Sequence, residues 1–285
     1  MITNSVFGLI VLHNPQRSYL SNICSVHEQV SELMIFDNSL KTASWILDFT
    51  KMKEKIIYRN FKKNMGVAFA LNYAADYSIH NGFTFLLTMD QDSYATPGMV
   101  KKMLGSVKNT DDVGIISPYH KNKISTHKVP GTEIEDKLVV MTSGNLLNLN
   151  AYQKVGPFRE DFFIDYVDTE YCMRLKKNNF RVVRVNSVPI YHNEANVSKK
   201  KVFGKGVYPY NHAPRRLYFK VRNRFYLRDL YKKTFPDYFE YEYPLFRNML
   251  IKILLFEKER IKKIKYAIKG FIDYKRGVNY SPFDI

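Results

Sequence analysis

Cysteine is scarce in this chain, with only Cys24 and Cys172 in 285 residues. Both lie in helix-like amphipathic stretches and neither has a metal-ligand or redox spacing, so no disulfide framework or zinc module is encoded. Also missing is any uncharged apolar run of about 18 residues or more, the length a spanning helix needs. The nearest candidate, "MLIKILLFEKER", is broken by Lys252 and Glu257. The N-terminal residues carry no secretory pattern, which leads to the expectation of a reducing cytoplasm. Internal repeats, low-complexity linkers and RNA-recognition motifs are absent too. After the first strand-like segment stands "VLHNPQRS", without the Gly-rich, basic phosphate loop that would mark a nucleotidyltransferase.

Acidic residues are in deficit, 27 Asp and Glu against 44 Lys and Arg, for a net charge of +17. The imbalance is local. Residues 196–285 hold 22 basic and 8 acidic side chains, which accounts for +14 of the total. A pI near 9.6 with 15% aromatic residues would suit a nucleic-acid-binding protein. The charge, however, is remote in sequence from the carboxylates described next, and no nucleic-acid partner is expected. With 45% apolar residues the chain is globular, and its length fits one large α/β domain or one domain with an appendage.

The first 120 residues alternate strand-like and helix-like pieces. "VFGLIVLH", "ELMIFDN", "KIIYRN" and "GFTFLLTMD" read as strands, while "LSNICSVHEQV" and "GVAFALNYAADYSIH" read as helices. Apolar strands separated by helices predict a Rossmann-like, mostly parallel sheet flanked by helices. In such a sheet ligands bind beyond the carboxyl ends of the strands. Those ends read His13-Asn14-Pro15, Asp37-Asn38-Ser39, Arg59-Asn60 with Asn64 and Gly66 soon after, and Asp90-Gln91-Asp92. Any one of them alone is explained by turn formation. Four in succession point to a nucleotide or metal site.

Further on, "LVVMTSGNLLNLNAYQKVGPF" predicts a strand, a Ser-Gly-Asn turn, a second strand and a short helix ending near Gly156. "REDFFIDYVDTEYCMRLKKNNF" predicts an acidic loop that enters a helix. Asp-x-Asp at the end of a buried strand offers oxygen ligands to one divalent cation, or one carboxylate to a cation and one to a sugar hydroxyl.

Taken together, "VLHNP", "IFDNS", "NMGVAFALNYA", "LLTMDQDS", "TSGNLLNLNAYQKVGPFREDFFIDYVDTEYCMRL" and "VPIYHN" resemble the family 2 inverting glycosyltransferases of the A-type fold, and among them bacterial rhamnosyltransferases. The resemblance covers roughly residues 5–230. It implies a catalytic domain over 1–210, with 1–120 as its nucleotide half and 121–210 as its acceptor half, and a basic helical region over 211–285 packed on it. It also implies nucleotide-sugar contacts from Asp37 to the base, with His13 and Asn38 beside it at the strand ends along with Asn14, and from Asn64 and Gly66 in the turn beneath. Asp92 is then the metal ligand, Asp90 a ligand or a contact to ribose or sugar, and His192 the third ligand, for Mg2+ or Mn2+.

Asp168 matches the general base, with Asp165 as its rival because Val167 stands where the family more often has an acidic residue. As an alternative, Asp168 merely caps the helix. The implied acceptor is a polyprenyl-diphosphate-linked glycan of surface polysaccharide, and the implied location is the inner face of the plasma membrane. The donor stays open between dTDP-rhamnose and UDP-galactofuranose or another UDP-hexose.

In the basic third, Arg222-Asn223 follows an aromatic doublet as in those rhamnosyltransferases, which implies a guanidinium for the departing diphosphate. Arg224, Arg228 and Lys232 read as a solvated helix face. One long final helix is expected, with Leu245, Met249, Leu250, Ile253, Leu254, Ile261, Ile264 and Ile268 as a stripe and Lys258, Lys262, Lys263 and Lys265 among the residues opposite. That pattern fits an anionic membrane surface and fits core packing equally. His27, His80, His120 and His127 carry no partner pattern.

Overall fold

A computed structural model describes residues 5–121, 131–192, 200–202, 205–207, 209 and 211–279. The described residues divide into two compact units, those within 1–160 and 167–193 and those within 161–166 and 194–282.

The first unit is built on one sheet. Strands β1 (Val6–Leu12), β2 (Glu32–Asp37), β3 (Ile56–Arg59) and β4 (Phe85–Asp90) are the four apolar segments of the sequence, and they lie side by side in the order β3-β2-β1-β4, all parallel. The connections include α1 (Leu20–His27), α2 (Ser44–Met52) and α3 (Val67–His80). Near-continuous burial of β1, β2 and β4 follows from cover on both faces, which is why these strands are apolar throughout rather than alternating. Gly66 opens α3 at φ 84°, a left-handed conformation that glycine adopts without the strain of a Cβ.

Beyond β4 come β5 (Ser93–Ala95), α4 (Met99–Ser106), β6 (Val113–Lys121), β7 (Ile134–Asp136), β8 (Asn145–Asn148), α5 (Leu149–Val155), α6 (Val167–Lys177) and β9 (Arg181–His192). β8 enters antiparallel between β4 and β6, β9 runs parallel to β6, and β5 and β7 pair antiparallel with β9. The strand expected at Leu138–Met141 does not form. β9 is flanked by β6 on one edge and by β7 and β5 on the other, so the run leaves the sheet after Lys137, whose N–H donates to Val182 O at 2.8 Å.

The second unit contains the hairpin β10 (Lys200–Val202) and β11 (Lys205–Val207) and three helices, α7 (Pro214–Tyr231), α8 (Pro236–Phe256) and α9 (Arg260–Lys275). α7 and α9 approach so closely that a Cβ on Gly270 would sit 2.5 Å from Tyr218 O, which requires glycine there. The single final helix of the sequence reading is in fact two. Glu259, at φ 54°, breaks it between α8 and α9. The expected stripe divides accordingly. Ile253 is buried with Met249 and Leu250 packed beside Leu217 and Val221, whereas Leu245, Leu254, Ile261 and Ile268 are exposed. Two supposed surface cations are buried: Arg224 pairs with Glu242 at 2.8 Å, and Lys263 with Glu257 at 2.6 Å. A buried cation is tolerable only when paired in this way.

Candidate active site

Parallel register brings the strand ends into one row. Leu12 stands opposite Asp37 across β1 and β2, and Val11 opposite Asp90 across β1 and β4. His13, Asp37 and Asp90-Gln91-Asp92 therefore emerge at one end of the sheet. His13 and Asn14 are exposed, and Asp90 and Asp92 are partly so.

Local hydrogen bonds fix each of these ends. Gln91 joins two of them: its Oε1 accepts from His13 N at 2.9 Å and its Nε2 donates to His13 O at 3.3 Å. Asn22 Nδ2 donates to Gln91 O at 2.8 Å. Asn14 takes a left-handed φ of 47° and donates its N–H to Ser39 Oγ at 2.7 Å. Asn38 holds the turn before α3, accepting from Met65 N at 2.9 Å and donating to Gly66 O at 3.2 Å, while Asn64 Oδ1 accepts from Gly66 N at 3.0 Å.

Asp37 is fully buried. Its Oδ1 accepts from Ser39 N at 2.9 Å and its Oδ2 from the Tyr58 hydroxyl at 2.7 Å. Burial, together with the adjacent Asp37 carboxylate, pushes Tyr58 up to about 12, so the phenol remains a donor. Tyr58 was not singled out in the sequence, because a tyrosine inside a strand carries no signal by itself.

The Asp-x-Asp loop rests on a hydroxyl pair. Ser143 Oγ accepts from Asp90 N at 3.0 Å and donates to Ser93 Oγ at 2.7 Å, both serines being fully buried. His120 has a partner after all, its Nε2 lying 2.7 Å from Ser143 O, and His27 and His80 bond to Glu54 O and Asp76 O. His127 lies outside the described residues. Ser93 is the register partner of His192 in β5 and β9, which sets the His192 backbone opposite the residue that follows Asp92. Among the described residues no three His, Cys, Asp or Glu side chains converge as a metal shell, and the His192 side chain lies outside that description.

Asp168 sits in the first turn of α6, where its Oδ1 accepts from Thr169 N at 2.7 Å. Four residues on, burial pushes the Cys172 thiol up to about 12, which leaves it unreactive.

In the second unit, Asp165 has a side chain only 9% exposed and bonds to Arg216 Nε at 3.0 Å and to Lys220 Nζ at 3.4 Å. Burial alone would raise its carboxyl, but Lys220 and Arg216 outweigh that effect and hold it below the usual carboxylate range. His212, unremarked in the sequence, belongs to the same cluster. Burial and the two cations Arg216 and Lys220 depress it to about 3.

Arg222 is fully buried. It donates to Asp161 O and, from Nε at 3.1 Å, to Asn223 Oδ1, so contact with a diphosphate would first require these bonds to open. Asn223 Nδ2 donates to Phe162 O, Ile164 O and Asp165 O at 2.7, 2.9 and 3.0 Å. The Arg-Asn pair thus secures loop 161–166, in which Phe163, Asp165 and Tyr166 all have positive φ. Such residues cost about 1–3 kcal/mol each and persist only where the surroundings hold them.

The Glycosyl transferase family 2 profile matches residues 9–179, a range that contains the ends of β1 to β4 and Asp168 but not His192. The chain belongs to glycosyl transferase family 2. This glycosyltransferase is 26% identical to the dTDP-rhamnosyl transferase RfbF of Shigella flexneri, a match that spans 97% of each chain. It is similar in structure to S. aureus TarS 1-349, with a TM-score of 0.54 at 12% identity over 96% of this chain and 72% of that one. GalNAc-T7, crystallised with UDP, GalNAc and Mn2+, gives a TM-score of 0.60 at 11% identity over 96% of the glycosyltransferase and 56% of its own chain. These likenesses establish the A-type fold that the resemblance in the sequence implied.

Proposed function

We propose that this glycosyltransferase moves rhamnose from dTDP-rhamnose, with inversion, onto a hydroxyl of a polyprenyl-diphosphate-linked glycan in bacterial surface polysaccharide synthesis. One observation carries the donor: similarity to a dTDP-rhamnosyl transferase extends over nearly the whole of both chains.

Asp37, with its neighbours His13, Asn14 and Asn38, is assigned to the nucleoside, and Asn64 and Gly66 to the turn beneath the nucleotide and sugar. Asp168 is the base. It takes the proton from the acceptor hydroxyl as that oxygen attacks the anomeric carbon opposite the diphosphate, a step that needs one positioned carboxylate. Asp165 is the weaker candidate, because a carboxylate stabilised as its anion by Arg216 and Lys220 is a poor proton acceptor.

Two carboxylates and an imidazole suit Mn2+ and, less closely, Mg2+, and the Ser93–His192 register is compatible with Asp90, Asp92 and His192 as the holding set. When bound, such an ion would neutralise charge on the departing diphosphate. The A-type neighbour crystallised with Mn2+ supports this reading.

No helix among the described residues is long and apolar enough to cross a membrane. Attachment to the inner leaflet is assigned to α8 and α9, where Leu255, Ile261 and Ile268 are 59%, 74% and 54% exposed beside Lys258, Lys262 and Lys265.

A UDP-hexose donor is the second reading, since S. aureus TarS 1-349, crystallised with UDP and with UDP-GlcNAc, shares the fold. Calorimetry with dTDP and with UDP, each in Mn2+, separates the two. Tighter binding of dTDP is expected, and a clear preference for UDP would favour the hexose.

A further inference from the structure

Behind Asp168 in the first unit lies a cavity of about 10 Å³ bordered by Thr88, Thr142, Asn145, Asp168, Tyr171 and Cys172. Two of these residues have a buried polar atom without a hydrogen-bond partner among the described residues, Asn145 Oδ1 and the Tyr171 hydroxyl. Asn145 is 4% exposed and Tyr171 not at all. Buried polar groups are paired as a rule, and each one left unmade costs roughly 1–3 kcal/mol.

Two other neighbours are already engaged. Thr88 Oγ1 donates to Thr142 O at 2.6 Å, and Cys172 Sγ faces Val140 O at 4.0 Å. The buried groups left without a partner are one acceptor and one hydroxyl, on two residues that line the same space. Size then decides the ligand class. A space that admits a water needs roughly 10–15 Å³ by this measure, so the cavity takes one water and is too small for a sugar ring.

We propose that the cavity is a binding site for a single ordered water, which donates to Asn145 Oδ1, accepts from the Tyr171 hydroxyl and turns its second hydrogen toward Asp168. The water satisfies both orphaned groups at once. It also connects them to the carboxylate assigned as the base, and this connection, unlike the water site, rests on the functional reading above. Tyr171 and Asn145 are then positioning residues that act on Asp168 through the water.

A crystal structure of the full chain, at a resolution where ordered waters are visible, tests the site without any turnover. The expected result is one density peak within about 2.6–3.2 Å of both Asn145 Oδ1 and the Tyr171 hydroxyl, lost or weakened in Tyr171→Phe. A well-ordered cavity without density, or a direct bond from Tyr171 to Asn145, overturns the site. Kinetics test the connection. Tyr171→Phe should lower kcat about tenfold while KM for the donor stays constant, because the base is disturbed and the nucleotide site is not. An unchanged kcat, or a loss confined to KM, overturns the connection while the crystallographic result stands on its own.

Discussion

Asp165 is bound edge-on by Arg216, with Oδ2 3.0 Å from Nε and Oδ1 3.2 Å from Nη2. This forked geometry holds a carboxylate as its anion. It separates two aspartates that the sequence left as rivals for one role.

Asp168→Asn should retain donor binding and lose about 10²–10⁴-fold in kcat, the usual contribution of a positioned base. Asp165→Asn should instead lower thermal stability, because it leaves Arg216 and Lys220 without their anion. Titration of donor binding, turnover and melting temperature in both variants checks this. Near-normal turnover in Asp168→Asn with the loss in Asp165→Asn would reverse the assignment.

Asp92→Ala should abolish metal-stimulated transfer, since the diphosphate would leave without its counter-ion. Turnover measured across a Mn2+ and Mg2+ series reads this out. Wild-type rates with the wild-type metal dependence would remove Asp92 from the site.

His212 makes stability depend on pH. Its folded value of about 3 lies below the ordinary 6.5, so the unfolded chain binds the extra proton first. Stability is therefore full above pH 6.5 and falls as the pH drops toward about 3, with a slope of at most about 1.4 kcal/mol per pH unit from this group. Urea denaturation at stepped pH should show that slope in the wild type and a flatter one in His212→Gln. Identical slopes would contradict the cluster's electrostatics.

Replacing Lys258, Lys262 and Lys265 with Gln should weaken sedimentation with anionic vesicles at low salt, each lysine contributing on the order of 1 kcal/mol near such a surface. Lys263 is left in place because its partner is the buried Glu257. Transfer to a short soluble acceptor should be unaffected. Equal binding to neutral and anionic vesicles would return these lysines to the role of solvated helix face.

Much of the first unit was legible in the sequence for a plain reason. Both-face burial forces β1, β2 and β4 to be apolar almost without interruption, and the polar residues that follow them mark their carboxyl ends. Gly66 was legible as a turn because no other residue takes its φ without strain.

What the sequence hid depended on partners distant along the chain. Arg224 finds Glu242 across eighteen positions, and nothing local distinguishes it from Arg228, which is exposed. The break between α8 and α9 falls at Glu259, with neither glycine nor proline to announce it. Ser143 read as part of a turn, and only the β4–β8 pairing brings its hydroxyl under Asp90.

The most direct test of the account is transfer itself. Purified protein, dTDP-rhamnose and a lipid-linked glycan acceptor are incubated with Mn2+, and the product is examined by NMR for the sugar added and its anomeric configuration. The account predicts a rhamnoside whose configuration is opposite to the donor's, with release of dTDP. Retained configuration, or transfer from UDP-hexoses in place of dTDP-rhamnose, would contradict it.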